Sequence, residues 1–240
     1  MNETKLTFKR TEKKYLLTPE NFEALWRQIG AHLEPDDYPK STVCSIYYDT
    51  DDYRLIRNSI EGPVYKEKLR LRSYRVPGPE DPVFVELKKK FKGVVYKRRV
   101  SLPAQAAEDW LDRGIHPRED SQMIREIDWF LHSVQPGPKA MLACDRDAWR
   151  DKADPELRIT FDRELRWREE DLHLSSGAEG EALLPEGYVL MEIKTPTAAP
   201  LWLAHSLSEL RIFPVSFSKY GTCYKEHILQ EYFFGGSIHA

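Results

Sequence analysis

The segment from Lys66 to Arg72 alternates with a period of two, but its repeating residues are cations. Every second position carries a positive charge: Lys66, Lys68, Arg70 and Arg72. A period of two is typical of a β-strand, whose side chains point alternately to its two faces, so the four cations share one face. Neighbours on that face lie only about 7 Å apart, and like charges at this distance repel each other. The fold must therefore place water, carboxylates or a bound polyanion beside this strand.

Charged alternation recurs elsewhere along the chain, with acids and bases mixed. The segments 84–88 and 190–194 each place a Glu-x-Lys pair inside an apolar run, so that one acid and one base share a strand face. Three more alternating segments are Arg10-x-Glu12-x-Lys14, Lys97-x-Arg99 and Arg158-x-Thr160-x-Asp162. A single charged strand face usually lies on solvent and contributes little to stability. Six such solvent faces would be hard to arrange, so the repetition favours strands that converge their charges.

Charge is distributed unevenly over the chain. The formal net charge is −3, yet residues 54–99 contain fourteen Lys and Arg against five Asp and Glu, which gives +9 there and −12 elsewhere. A local basic site in an acidic protein favours a compact polyanionic ligand over general nucleic-acid binding. The three widely spaced cysteines lack the spacing of a zinc or redox motif and are expected to be buried or partly buried thiols. The sequence shows neither a membrane span nor a signal peptide, which predicts a cytoplasmic protein.

Secondary structure follows from the two periodicities. Alternation predicts eight strands, at 4–16, 41–50, 62–75, 82–92, 94–101, 139–150, 156–168 and 187–195. Helices are predicted after Thr18-Pro19 and at 103–113, 121–134, 200–210 and 217–230. The segment 171–186, rich in Ser, Gly and Glu, is predicted to be a mobile loop. Without a linker, residues 1–240 are interpreted as a single domain.

These elements predict an α+β fold with one particular architecture. Strands that are charged on one face and apolar on the other describe an eight-stranded antiparallel barrel, with a polar, basic lumen and helices packed outside. A barrel of this size has room for one elongated ligand.

An ordered set of short motifs resembles a known family. The motifs are Ile46-Tyr47-Tyr48-Asp49-Thr50, Lys68-x-Arg70-x-Arg72-x-Tyr74, Glu86-x-Lys88, Lys97-x-Arg99, Arg158-Ile159-Thr160-x-Asp162, Glu192-x-Lys194 and Ser218-Lys219-Tyr220. In this order they resemble the polyphosphate polymerase domain of the vacuolar transporter chaperone (VTC) family, a branch of the triphosphate tunnel metalloenzymes. The resemblance covers residues 8 to 225 and implies a tunnel in which cations hold nucleotide phosphates and polyphosphate, and a glutamate holds Mn²⁺ or Mg²⁺.

The resemblance also implies roles for individual residues. Those expected to act on the transferred phosphates are Arg70, Arg72, Lys88, Lys97, Arg158 and Lys219. Further cations expected to line the tunnel are Lys14, Arg99, Arg146, Arg168 and Lys194. The expected metal ligand is Glu192, with Glu86 and Glu12 as second choices. Guanidinium groups suit bidentate phosphate contacts, and Mn²⁺ and Mg²⁺ prefer oxygen donors. Strand parity permits Arg166 in place of Arg168, and either arginine could instead pair with Glu169 or Glu170 on the surface.

One departure from the superfamily bears on activity. Hydrolytic and cyclase relatives carry Glu-x-Glu-x-Lys on the first strand, where this chain has Arg10-x-Glu12-x-Lys14. The exchange removes a carboxylate that a two-metal hydrolase would use. This departure therefore favours a tunnel that holds a longer anion. The activity implied by the resemblance is that of a polymerase, which transfers the γ-phosphate of ATP to polyphosphate, and Glu12 keeps hydrolysis of tripolyphosphate or a nucleoside triphosphate open. A polyphosphate-binding sensor without turnover is a third interpretation.

The expected partners are ATP and inorganic polyphosphate, and any delivery to a membrane would need a separate protein. Binding of single-stranded nucleic acid would require exposed aromatic side chains beside the cations. The candidates Tyr65, Tyr74 and Tyr96 are expected to lie on the opposite strand face and to pack under helices. We therefore expect no nucleic-acid partner.

Overall fold

The computed structural model describes residues 11–92, 94–196 and 198–230, which contain nine strands, six α-helices and three short 3₁₀ or π-helical segments. The strands are β1 (Thr11–Leu17), β2 (Leu33–Asp49), β3 (Tyr65–Ser73), β4 (Pro82–Phe91), β5 (Val94–Pro103), β6 (Gly137–Asp151), β7 (Arg158–Arg168), β8 (Glu181–Ala182) and β9 (Val189–Thr195). The helices are α1 (Pro19–Ile29), α2 (Arg54–Glu61), α3 (Ala104–Arg113), α4 (Gln122–Val134), α5 (Leu201–Glu209) and α6 (Lys219–Cys223). None of the helices within these ranges is long and apolar enough to cross a bilayer.

The strands form one sheet in the order β1-β9-β7-β6-β2-β3-β4-β5, with β8 paired to β7. The paired strands β1–β9, β2–β3, β3–β4, β4–β5 and β7–β9 are all antiparallel. The predicted α+β class with an antiparallel sheet is therefore confirmed. Alternation did not predict β8, because two residues are too few to show a period. The predicted start of the first strand lies outside the described residues.

The chain divides into two compact units. The first contains the described residues up to Ser41, Asp145–Leu165 and Leu184–Phe217. The second contains Thr42–Cys144, Arg166–Leu183 and the described residues from Ser218 onward. Each unit has its own buried apolar cluster, and the clusters share no residue.

The first unit is built on β1, β9 and the helix α1. Thr18 caps this helix, since its hydroxyl oxygen accepts a hydrogen bond from the amide of Asn21 at 3.2 Å, and Pro19 occupies the first turn, as predicted. The helix buries Leu25 and Ile29 against the apolar residues of the strands. The opposite face of β1 and β9 is left for the charged residues described below.

The second unit is built on β2 to β5. Leu69, Leu71, Val85 and Leu87 are buried together with side chains of α3 and α4, so one face of this part of the sheet forms the core. The three cysteines are buried, as predicted.

Helix α2 was not predicted; it has only eight residues, of which Ile56 is buried and Leu55 packs against the apolar core from a partly buried position. Its start is held by Asp49 at the end of β2. The Asp49 carboxylate accepts hydrogen bonds from the amides of Leu55 at 2.8 Å and Ile56 at 3.0 Å. An acid at a helix N-terminus satisfies amides that have no partner inside the helix.

The segment 171–186, predicted from its composition to be a mobile loop, contains regular structure and buried side chains. It contains a short 3₁₀ turn, Leu174–Ser176, and strand β8, and it buries Leu174 and Leu183. Composition favours loops, but buried apolar side chains and hydrogen bonds to Arg168 anchor this one.

Candidate functional site

Three strands of the second unit bring their cations into register on the face opposite the core. Antiparallel pairing of β3 with β4 and of β4 with β5 aligns residues in rows. In order along the strands the rows are Lys66–Lys90–Val95, Lys68–Lys88–Lys97, Arg70–Glu86–Arg99 and Arg72–Phe84–Ser101. We call these four rows the cation ladder. Rows two residues apart are separated by about 7 Å, so the ladder extends over roughly 20 Å.

Glu86 is the carboxylate at the centre of the ladder. It is 1% exposed, and its oxygens lie 2.6 Å from the guanidinium of Arg70, 2.6 Å from the ammonium of Lys97 and 2.9 Å from Arg99. Burial alone would raise the pKa of Glu86, but Arg70, Arg72 and Lys97 lower it to about 2. Glu86 therefore stays ionised and compensates part of the positive charge, while the surrounding cations outnumber it.

Arg72 illustrates how much positive charge this face carries. Its guanidinium donates a hydrogen bond to the Ser45 hydroxyl at 3.1 Å. Burial and the neighbouring Arg70 cation lower the pKa of Arg72 from its usual value. The arginine remains charged, because even a lowered arginine pKa lies far above neutral pH. A bound anion would offset the repulsion between the two arginines.

Tyr47 on β2 is a site residue whose role the sequence did not indicate. Its hydroxyl oxygen accepts a hydrogen bond from Arg70 at 3.4 Å. Burial would raise the pKa of Tyr47, but the cations of Arg70, Lys68 and Arg72 lower it to about 7. The signal that could have revealed it is the alternation Ser45-x-Tyr47-x-Asp49, which places polar groups on the face that pairs with the arginines.

Helix α6 supplies the next part of the ladder's surroundings. Ser218, its N-cap, accepts a hydrogen bond from the Lys68 ammonium at 3.1 Å. Tyr220 stacks on Tyr47 with 4.7 Å between ring centroids. These contacts fix the start of α6, where the half-buried Lys219 lies, beside the ladder.

A second charged cluster lies in the first unit, on β1 and β9. Lys14 pairs with Glu192 across the strands, and its ammonium lies 3.3 Å from the Glu192 carboxylate and 3.9 Å from Glu12. Lys194 approaches Glu192 to 3.6 Å. Glu192 is buried, whereas the side chain of Glu12 is 40% exposed. The neighbouring β7 adds Arg158, which lies 3.6 Å from Asp36.

The carboxylates of this cluster are ligands of the kind that a divalent metal ion prefers. Glu12 and Glu192 offer carboxylate oxygens on adjacent strands, which suits Mn²⁺ or Mg²⁺ when phosphate oxygens complete the coordination. No group of three or more ligating side chains occurs within the described ranges. The residues therefore fit an ion shared with a phosphate ligand, and not a cage made by protein alone. Arg10 lies outside the described residues.

The two other predicted cations make structural contacts. Arg146 forms two hydrogen bonds with the fully buried Asp162, at 2.6 and 2.7 Å. Arg168 donates to the main-chain carbonyls of its following loop, including Glu179 at 2.7 Å and Gly177 at 3.1 Å. Arg166 pairs with β8.

The three tyrosines are exposed, contrary to the expectation that helices would cover them. Tyr65, Tyr74 and Tyr96 are 46%, 39% and 50% exposed. Tyr65 and Tyr96 lie near the β4–β5 turn, beyond the last core residues of these strands. Tyr74 follows Arg70 and Arg72 by an even number of positions, which places it on the same strand face as these arginines. The expectation that it lies on the opposite face was therefore wrong.

Comparison with known proteins places the chain in a family. The model of the VTC domain matches residues 9–228. A search of curated proteins gave no match. Among solved structures, a candidate adenylate cyclase from Bacillus halodurans has a TM-score of 0.55 at 17% identity, covering 86% of this chain and 92% of that chain.

Two further structures are less similar. A protein from Pyrococcus horikoshii has a TM-score of 0.47 at 14% identity, covering 91% of this chain and 99% of that one. A candidate adenylate cyclase from Vibrio parahaemolyticus has a TM-score of 0.46 at 14% identity, covering 93% and 98%. The Bacillus structure supports the fold alone, while the family model spans nearly the whole chain and every motif quoted above. The chain therefore belongs to the VTC domain family.

Proposed function

We propose that this protein is a metal-dependent polyphosphate polymerase, which transfers the γ-phosphate of ATP to a growing inorganic polyphosphate chain. The observation that carries the proposal is the cation ladder. Its rows extend over roughly 20 Å, more than one triphosphate occupies, and Glu86 compensates only part of their charge. A ladder of this length and sign suits a chain of phosphates better than a single small anion.

The transfer needs little covalent chemistry from the protein. A terminal oxygen of polyphosphate attacks the γ-phosphorus of ATP, the bond from that phosphorus to the bridging oxygen of ADP breaks, and ADP leaves with the electron pair. The attacking phosphate is already largely ionised near pH 7, so no general base is required. Catalysis then depends on in-line positioning and on charge stabilisation.

The residues of the ladder divide these tasks by their chemistry. Arg70 and Arg72 hold phosphate oxygens with guanidinium groups, whose positions Glu86 and Ser45 fix. Lys88 and Lys97, together with Lys219 and Arg99, add charge along the chain of phosphates. Arg146 and Arg168 are assigned structural roles, because the buried Asp162 and the loop carbonyls occupy their guanidinium groups.

Glu192, assisted by Glu12, is the proposed metal ligand. A bound Mn²⁺ or Mg²⁺ would neutralise charge on the phosphates. Lys14 and Lys194 hold the Glu192 carboxylate between them, and Arg158 adds a third cation on the adjacent β7. Glu86 is assigned the role of counter-ion, since three cations already lie within 2.9 Å of its oxygens.

Hydrolysis of tripolyphosphate or of a nucleoside triphosphate is the second candidate activity. It is favoured by one observation, the presence of Glu12 beside Glu192 on adjacent strands, which offers two carboxylates where hydrolases use several. The products separate the two activities, because a hydrolase releases orthophosphate and never lengthens polyphosphate.

The decisive experiment incubates the protein with ATP and Mn²⁺ or Mg²⁺ and follows both ADP release and polyphosphate length on a gel. We expect long chains from the unmodified protein and none from Glu192→Gln. Orthophosphate without chain growth would instead establish the hydrolase, and phosphate binding without any turnover would leave a sensor.

Matched variants on β4 test the ladder itself. Lys88→Ala removes a cation from the ladder face, whereas Lys89→Ala removes one from the opposite face, where Lys89 pairs with Glu67 at 3.4 Å. We expect shorter chains and weaker polyphosphate binding only for Lys88→Ala. Equal effects of the two substitutions would contradict binding on the ladder face.

A cytoplasmic location stays a prediction, which cell fractionation can test.

A further inference from the structure

Two aromatic side chains lie at one end of the cation ladder. Phe84 occupies the last row, directly between Arg72 and Ser101, and Tyr74 follows β3. The ring centroids of Tyr74 and Phe84 are 5.7 Å apart, and the rings meet at 70°. The opposite end of the ladder carries Lys66 and Lys90 instead. The two ends of the ladder therefore differ, since one carries aromatic rings and the other carries lysines.

Arg99 fixes the geometry at the aromatic end. Its guanidinium lies 3.8 Å from the centroid of Phe84 and donates a hydrogen bond to the Tyr74 hydroxyl at 2.6 Å. The same guanidinium lies 2.9 Å from Glu86. With partners on three sides, Arg99 joins the two rings to the phosphate-binding rows. The exposed part of Tyr74 then presents an aromatic surface held in a fixed orientation.

The chemistry of this surface suits a planar heterocycle attached to phosphates. Aromatic rings and guanidinium planes both stack on nucleobases, and stacking accepts any base because every base has a π-face. Arg72 lies in the row of Phe84 and Arg70 in the next row, so phosphates bound by these arginines would be adjacent to the rings.

We propose that Tyr74, Phe84 and Arg99 form the subsite for the nucleobase of the phosphate donor. This inference rests on the proposed function, because it takes the phosphates to occupy the ladder. It assigns a direction to the substrates: the nucleoside lies at the Tyr74 end, and the polyphosphate chain extends toward Lys66 and Lys90. Stacking without base-edge recognition also predicts similar affinities for ATP and GTP.

The test compares a nucleotide with a phosphate chain that lacks a base. Isothermal titration calorimetry measures the Kd of ATP and of inorganic tripolyphosphate for the unmodified protein, Tyr74→Leu and Tyr74→Phe. Loss of one stacking contact should weaken ATP binding about tenfold in Tyr74→Leu and leave tripolyphosphate binding within about twofold. Tyr74→Phe keeps the ring and should retain most of the ATP affinity. Phe84→Leu provides a second variant, and melting temperatures confirm folding.

The outcomes separate this inference from the proposed function. Equal loss of ATP and tripolyphosphate affinity in Tyr74→Leu would overturn the subsite, since the tyrosine would then act only by holding Arg99. Unchanged ATP affinity would overturn it as well. A selective loss of ATP affinity without chain growth on the gel would support the subsite and refute the polymerase. Absence of tripolyphosphate binding to the unmodified protein would refute both.

Discussion

Replacing Glu86 by Gln tests whether the ladder is built to receive an anion. The substitution keeps the shape of the side chain but removes the carboxylate charge shared by Arg70, Lys97 and Arg99. The pKa of Glu86 lies near 2 instead of the usual 4.5, and each pH unit corresponds to about 1.4 kcal/mol. The ionised carboxylate therefore contributes roughly 3 kcal/mol to the free energy of unfolding at pH 7. This agrees with the range of about 3–5 kcal/mol expected when one partner of a buried ion pair is removed.

The assay is thermal unfolding at low salt, where screening is weak. A loss of about 3 kcal/mol should lower the Tm by roughly 6–12 °C for a chain of this size. The matched control is Glu126→Gln, which removes the partner of Arg98 on the other face of β5, where the side chain of Glu126 is 29% exposed. We expect the control to shift the Tm much less, because partly exposed pairs contribute less.

Two further measurements test whether loss of the Glu86 carboxylate charge causes the decrease in Tm. Because the pKa of Glu86 is lowered, its contribution is complete above pH 4.5 and is lost as the pH falls toward 2, so the Tm difference between the two proteins should shrink over that range. Tripolyphosphate should raise the Tm of Glu86→Gln more than that of the unmodified protein, since the ligand replaces the missing negative charge. A smaller rise would refute the counter-ion role and favour the metal-ligand role that the sequence left open.

Three other perturbations follow from the structure. The pKa of Tyr47 is about 7, and its ionised form would repel a phosphate bound by the same cations, so binding favours the protonated form. The Kd of tripolyphosphate should therefore rise by up to about tenfold per pH unit above pH 7. In calorimetry, Tyr47→Phe should remove this pH dependence. Arg146→Ala removes the bidentate partner of the buried Asp162 carboxylate and should lower the free energy of unfolding, measured in urea titrations, by about 3–5 kcal/mol. A loss below about 1 kcal/mol would contradict the structural role of Arg146. Gly180→Ala would place a Cβ in steric conflict with the Trp167 carbonyl oxygen and should lower the Tm. An unchanged Tm would mean that the segment leading into β8 shifts without cost.

The periodic features of the fold could be predicted from the sequence. Helix α1 begins at Pro19 because Thr18 and Pro19 are residues that start helices, and α3, α4 and α5 lie within two residues of their predicted bounds. Strand β2 is longer than predicted, beginning at Leu33, because its first half lacks alternation. The cationic face of β3 could be predicted because side chains of a strand alternate whatever its partners are.

The sequence by itself determined which side chains share a face, because the two-residue period is a local property of an extended backbone. Only the tertiary structure decided which charges meet. Pairing register brings Glu86 between Arg70 and Arg99, and register depends on packing between segments distant in the sequence. The same is true of Tyr47, placed opposite Arg70 by the pairing of β2 with β3, and of Arg168, whose partners are carbonyls of a folded loop. A residue's type can be interpreted locally, but its charge state and its partner follow from the fold.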